Sequence, residues 1–221
     1  MLIYRHVLAF LILFAGVETN AGDYVSSNGK LSDESFYRLV ACGAAPGKKC
    51  QRGFLRWPVQ NVKVAIVDVD GRTTSKQMAI AEHSLQNAIS EINSVDSKIR
   101  LVPAPASQAD IKVYIAAGTR IRSHPMVRDI RHRLGGPSAG VARVFFENGK
   151  INEALIIVAA GGRQTKVKSV MLEELTQSLG LMTDVKGRYY RRRSIFAESA
   201  SSTTTLRDQD ARALAIHYAS N

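Results

Sequence analysis

The apolar positions of the chain recur with two different periods. Between Asn61 and Val69, the residues Val62, Val64 and Ile66 alternate with Lys63, Ala65, Val67 and Val69. A period of two predicts a strand, and two largely apolar faces predict one that is covered on both sides. Asp70-Gly71 turns the chain. The period then lengthens: Ala81, Leu85, Ala88, Ile89 and Ile92 recur at helical spacing, which predicts a helix to about Ser94 with Thr74 or Ser75 as its cap. His83 falls off that stripe and reads as a surface residue. Residues 98–102 predict a second strand, ended by Pro103 and Pro105, and Asp110 to Ala116 a third. Two further apolar runs, 141–146 and 154–159, flank Glu147-Asn148-Gly149-Lys150, and Asn-Gly between such runs predicts a hairpin. Ala160-Gly161-Gly162-Arg163 lacks the spacing of a phosphate loop and reads as a connector.

The next helix is the one the chemistry turns on. In Met171 to Leu181, the residues Met171, Leu172, Leu175 and Leu179 share one side, and Glu173, Glu174, Gln177 and Ser178 share the other. Gly180 stands where a helix stops or bends. Glu173 and Gln177 are four apart, so their side chains project together from adjacent turns. A metal-binding helix spaces its first two ligands in this way, with a general-base Glu beside the first, here Glu174. The frame is E-E-x-x-Q-x-x-G. A solvated polar face produces the same pattern, and both readings stand at this point.

The ends of the chain bear on its compartment. Arg5 and His6 precede the apolar run 7–17, and Thr19 and Ala21 supply small residues at the positions a signal peptidase inspects. This predicts a signal peptide over 1–21, cleaved after Ala21, and an exported chain, periplasmic or secreted; an uncleaved anchor is the alternative, and no transmembrane segment is expected after cleavage. Residues 22–60 then form an N-terminal extension, with a short helix from Asp33 to Val40 capped by Ser32 or Asp33. Cys42 and Cys50, the two cysteines, predict a disulfide in an oxidising compartment, with two free thiols as the alternative. A last helix is expected after Thr205 as its cap, with Asp208 in its first turn.

Thirty Lys and Arg against nineteen Asp and Glu leave a net charge of +11. Loss of 1–21 removes Arg5 and Glu18 and does not change that balance. Such a charge favours anionic polymers, membrane surfaces or acidic proteins. For an exported chain, cell-envelope polyanions rank above nucleic acid. Arg120, Arg122, Arg128, Arg131 and Arg133 crowd one segment together with His124 and His132, and they read equally as a solvated loop or as a polyanion-binding edge. Arg188, Tyr189, Tyr190, Arg191, Arg192 and Arg193 form the densest basic and aromatic cluster, suited to phosphate or sugar surfaces, or to solvent alone.

Taken in order, strand, helix, two strands, hairpin, helix ending in Gly, Ser194-Ile195-Phe196 and Leu206-x-x-x-Asp210 resemble the zinc endopeptidases of the metzincin type. Those have H-E-x-x-H-x-x-G-x-x-H, a turn reading S-I-M, and a final helix opened by L-T-x-x-D. The resemblance covers roughly 62–218 and implies a metzincin-like α+β domain over 61–221: a mixed sheet with a mostly antiparallel edge, a backing helix, a central motif helix and a C-terminal helix. The Glu173-Glu174-Leu175-Thr176-Gln177-x-Leu179-Gly180-Leu181 stretch, with the same S-I-F and L-x-x-x-D, is more closely similar to an exported bacterial family known as domain of unknown function 2927. Onto the metzincin frame, Glu174 maps as the catalytic base and Glu173 and Gln177 as the first two ligands. Thr183 maps to the third position, with Asp184 one residue on as a further ligand. An all-oxygen set with a neutral amide does not support zinc and suits a harder divalent metal or none. Glu173 beside Glu174 also admits acid–base work of the glycosidase kind. The expectation is thus a degenerate or altered-metal peptidase acting on a peptide or envelope polymer. The alternative is a non-catalytic module that recognises anionic polymers or acidic proteins through its basic surface.

Overall fold

The computed structural model describes residues 19–20, 24–121, 139–199 and 202–219. Most of the leader, together with Arg122, His124, Arg128, Arg131, His132 and Arg133, lies outside the described residues. The chain is α+β. A two-residue strand β1 (Thr19–Asn20) is followed by β2 (Tyr24–Ser26), α1 (Asp33–Cys42), β3 (Asn61–Val69), α2 (Ser75–Ser94) and β4 (Arg100–Pro103). A 3-10 turn (Ala106–Gln108) leads to β5 (Ile111–Ala116), β6 (Gly140–Glu147), β7 (Lys150–Ala159), α3 (Gln164–Gln177), β8 (Asp184–Lys186) and α4 (Asp208–His217). No described helix is long and apolar enough to cross a membrane.

The main sheet has the order β1-β6-β7-β5-β3-β4. β4, β3, β5 and β7 run parallel to their neighbours, whereas β6 is antiparallel to β7 and β1 antiparallel to β6. Asn148 and Gly149 adopt φ of 51° and 76°, the left-handed pair that a tight hairpin between β6 and β7 requires. β2 and β8 form a separate parallel pair.

α2 packs on β4, α3 packs on β6 and β7, and the two helices pack on each other, so both cover one face of the sheet. Val62 and Val64 of β3 are buried beneath them. The expectation of a strand covered on both sides is corrected here: on the opposite face Lys63 is exposed and Val67 half-buried. That face carries the Lys112–Glu153 ion pair at 2.6 Å and a small apolar cluster of Ala116, Ile121, Val141, Ile157 and Ala159.

α2 begins at Thr74, whose hydroxyl accepts from the Gln77 amide while the Gln77 side chain accepts from the Thr74 amide. This reciprocal cap is worth about 1 kcal/mol. α1 starts at Ser32, which accepts from the Ser35 amide, and packs along α4. The stretch 33–57 is continuous with the main core: Phe36 stacks on Tyr190 at 5.2 Å and meets Phe196 edge-on at 6.1 Å. The Cys42–Cys50 disulfide is formed and closes the turn after α1. The last helix does not start from Thr205. It starts from Arg207, with Asp208 at φ 46°, and no side chain caps its first amides.

Candidate functional site

α3 is not an amphipathic surface helix. Glu174, Gln177 and Ser178, on its expected polar face, are buried, and only Glu173 of that set is half-open. The side chains are enclosed because β6 crosses the helix at close range. A Cβ on Gly140 would stand 2.3 Å from Val170 Cγ1 and 2.7 Å from Glu174 Oε1, so no side chain fits between strand and helix there. One residue pair further along β6, the Ala142 amide donates to the Glu174 carboxylate. Glu174 is therefore held against β6, the antiparallel strand beside the parallel portion of the sheet.

Four carboxyl groups meet around this point. Glu173 and Glu174 come from α3, Asp184 opens β8, and Glu198 follows the Ser194-Ile195-Phe196 turn. β8 brings the last two together: the Val185 amide donates to the Phe196 carbonyl at 2.7 Å and the Glu198 amide to the Val185 carbonyl at 3.1 Å. Burial raises Glu174 to about 8, with the nearby Asp184 charge adding to it. Burial first and Glu198 second raise Asp184 to about 7. Glu173, though half-open, is pushed well above the usual range by the protein crowding its carboxyl group and then by Asp184 and Glu174. Lys166, two turns back on α3, draws both glutamates the other way. Glu174 is buried, Glu173 and Asp184 are half-open and Glu198 is exposed. Like charges crowded around a buried carboxyl cannot all ionise, so Glu173, Glu174 and Asp184 share protons near neutral pH.

The side chains of the cluster are incompletely satisfied. Gln177 donates its amide nitrogen to Asp184 Oδ1 at 2.9 Å. Its Oε1 and the Glu174 Oε2 are buried without a hydrogen-bond partner. Thr183, at the position of a third metzincin ligand, is buried and accepts from Arg52. Zinc does not fit this arrangement. Every donor is oxygen, and Gln177 and Asp184 are bonded to each other rather than turned to a common ion. Among the described residues no group of three or more His, Cys, Asp or Glu side chains could hold a metal ion. Glu173, Gln177 and Asp184 are brought together as the frame implied, but as a carboxyl–amide cluster.

The turn below the cluster is built by α4. Asp210 Oδ1 accepts from the Ser194 hydroxyl at 2.6 Å and its Oδ2 from the Ile195 amide at 2.8 Å. Ser194 Oγ accepts in turn from the Phe196 amide at 3.1 Å. The S-I-F and L-x-x-x-D motifs are thus one structural unit that sets the floor of the site. Burial lifts Asp210 to about 7 despite both bonds.

Arg188, Arg191, Arg192 and Arg193 are exposed on the turn after β8, and Tyr189 is half-buried. Tyr190 is not part of that surface. It lies in the core, where its hydroxyl accepts from the Leu31 amide at 2.9 Å and donates to Gln209 at 3.2 Å. Three site residues were missed in the sequence: Gly140, Ala142 and Glu198. Gly140 opens an apolar strand run, which is a usable signal for close backbone approach. Glu198 carries none, because only the pairing of β8 with 196–198 places it.

No curated protein matches the chain. The family described as "Protein of unknown function (DUF2927)" matches residues 34–221, which take in every element from α1 to α4 and all of the acid cluster, and the chain belongs to that family.

Proposed function

We propose that this is an exported peptide-binding domain of metzincin-like fold, in which a proton-sharing carboxyl cluster stands where a zinc centre would be. An extended peptide adds as an antiparallel strand to the outer edge of β6. The observation that carries this reading is the chain's own β1, which already pairs there: Thr19 lies opposite Val144 and Asn20 opposite Arg143, next to the Ala142–Glu174 bond. An edge strand with open amides is a general acceptor for extended chains. Cleavage after Ala21 would remove Thr19 and Asn20 and leave this edge free. The disulfide suits an oxidising compartment.

Glu174 does not act as a general base in this reading. Raised to about 8, it holds its proton at neutral pH and fixes the edge strand through Ala142. Hydrolysis is therefore not expected. Amide hydrogen exchange of the purified protein, with and without unfolded casein, tests the proposal. Slower exchange confined to 140–146, with no casein cleavage in added zinc, is the expected result. Unchanged exchange at β6 overturns the peptide site, and zinc-dependent cleavage lost in Glu174→Gln overturns the non-catalytic assignment.

A further inference from the structure

The turn from Gly187 to Arg193 follows β8 and exposes its four arginines while burying Tyr190. Arg188, Arg191, Arg192 and Arg193 line a groove of about 610 Å³ with Asn28, Gly29 and Tyr189. Four like charges within six residues repel one another, and among the described residues Arg188, Arg191 and Arg192 have no carboxylate partner. Arg193 is stacked over the Tyr189 ring at 4.9 Å and donates to the Tyr189 carbonyl at 3.2 Å.

The turn is rigidly mounted despite its charge. The Tyr190 ring is buried beneath it, and the Arg193 and Ser194 amides donate back to the Tyr190 carbonyl at 2.9 and 3.1 Å. Gly187 is pressed against the β2 side, where a Cβ would stand 2.6 Å from the Ser27 carbonyl oxygen. Arg192 sits at φ 59°, a left-handed conformation that glycine would adopt without strain. Like charges held together in a clamped turn without carboxylate partners are what an anionic ligand neutralises.

We propose that this groove binds a soluble oligomer bearing closely spaced phosphate groups, of which inorganic polyphosphate is the simplest, through guanidinium forks on successive phosphates. The groove is shallow and open, and its one aromatic ring is covered by Arg193. It therefore offers neither an apolar wedge for a bilayer nor a free stacking platform for nucleobases. None of its lining residues belongs to β6.

Titration calorimetry of the purified protein with sodium tripolyphosphate and with short-chain polyphosphate tests this. The triple variant Arg188→Gln/Arg191→Gln/Arg192→Gln is expected to bind at least about tenfold more weakly, and wild-type binding to weaken steeply with added salt. Arg192→Gly is a second probe: it relieves the left-handed backbone, so the melting temperature rises while polyphosphate affinity falls. A turn with a purely structural role would gain stability and keep its affinity. Affinity unchanged in the triple variant overturns the proposal. So does the absence of tripolyphosphate binding together with binding to phosphatidylglycerol-containing vesicles, which would make the turn a membrane contact.

Discussion

Two buried polar networks touch the same helix, and they differ in completeness. In the clamp on Ser178 and Leu179, just past the end of α3, the open carbonyls have partners. Trp57 Nε1 donates to the Ser178 carbonyl at 3.0 Å, and the Tyr218 hydroxyl donates to the Leu179 carbonyl at 2.8 Å while accepting from the Trp57 amide at 3.0 Å. Arg56 donates to the His217 carbonyl at 2.7 Å and to Tyr37 Oη at 2.9 Å. His217 Nε2 donates to the Leu55 carbonyl at 2.8 Å, leaving Nδ1 to accept from Tyr37 at 3.3 Å. Burial holds His217 neutral, down at about 4. Within the last turn of α3, the acid cluster leaves Glu174 Oε2 and Gln177 Oε1 orphaned and crowds carboxyl groups together. The first network satisfies the carbonyls that every helix end leaves open. The second satisfies no helix end and leaves buried atoms unpaired, and an unsatisfied buried group costs about 1–3 kcal/mol. The contrast supports the proposed reading, in which the clamp serves stability and the cluster belongs to the peptide-binding edge.

The largest effect is expected in the clamp. Gly180 lies at φ 100°, and a Cβ there would stand 2.0 Å from the Leu55 carbonyl oxygen and 2.9 Å from His217 Nε2. Gly180→Ala should lose at least about 4 kcal/mol in urea unfolding, because left-handed strain and a backbone clash act together. A loss of under about 1 kcal/mol would mean that the Leu55 strap is mobile and the clamp is not the rigid partner in the comparison. Tyr218→Phe is next. It strands the Leu179 carbonyl and the Trp57 amide, and about 2–3 kcal/mol should be lost.

Glu174→Gln should act in the opposite direction. The folded value of about 8 lies above the unfolded 4.5, so the folded state holds a proton that the unfolded state releases in between. That stability is fully present below about pH 4.5 and is lost as pH rises through 8. His217 has the reverse sign, but its window, from about 4 to its ordinary 6.5, closes before then. Between pH 6.5 and 8.5 the wild type should therefore lose stability with rising pH. Glu174→Gln should flatten that slope and be about 1–2 kcal/mol more stable at the upper end. Equal slopes in the two proteins would show that Glu174 is ionised in the fold and would erase the contrast between the networks.

Much of the architecture was legible locally. The period-two runs located β3 and β5, the two apolar runs about Asn148-Gly149 located β6, β7 and their hairpin, and of the two caps expected for α2, Thr74 or Ser75, Thr74 is the one used. These are near-neighbour effects, so short windows contain them. The start of α4 was misplaced because Arg207 and Asp208 open it without a side-chain cap, against the signal from Thr205. Tyr190 looked like a surface residue among arginines. It is buried because Phe36, more than a hundred residues earlier, supplies a ring to stack on.

The order of the elements from β3 to α3, the disulfide pairing and the Glu173–Gln177 spacing were decided by the sequence alone, through turn chemistry, a single pair of cysteines and helical geometry, whereas β1, β2 and β8 were not read. Whether the E-E-x-x-Q face met water or protein was decided only in three dimensions. An i, i+4 pattern records which side chains share a face and not what lies opposite. Gly140 lets β6 close over that face, and β8 pairs with 196–198 to carry Asp184 and Glu198 to it. Those long-range contacts turn a polar stripe into an enclosed, proton-sharing cluster.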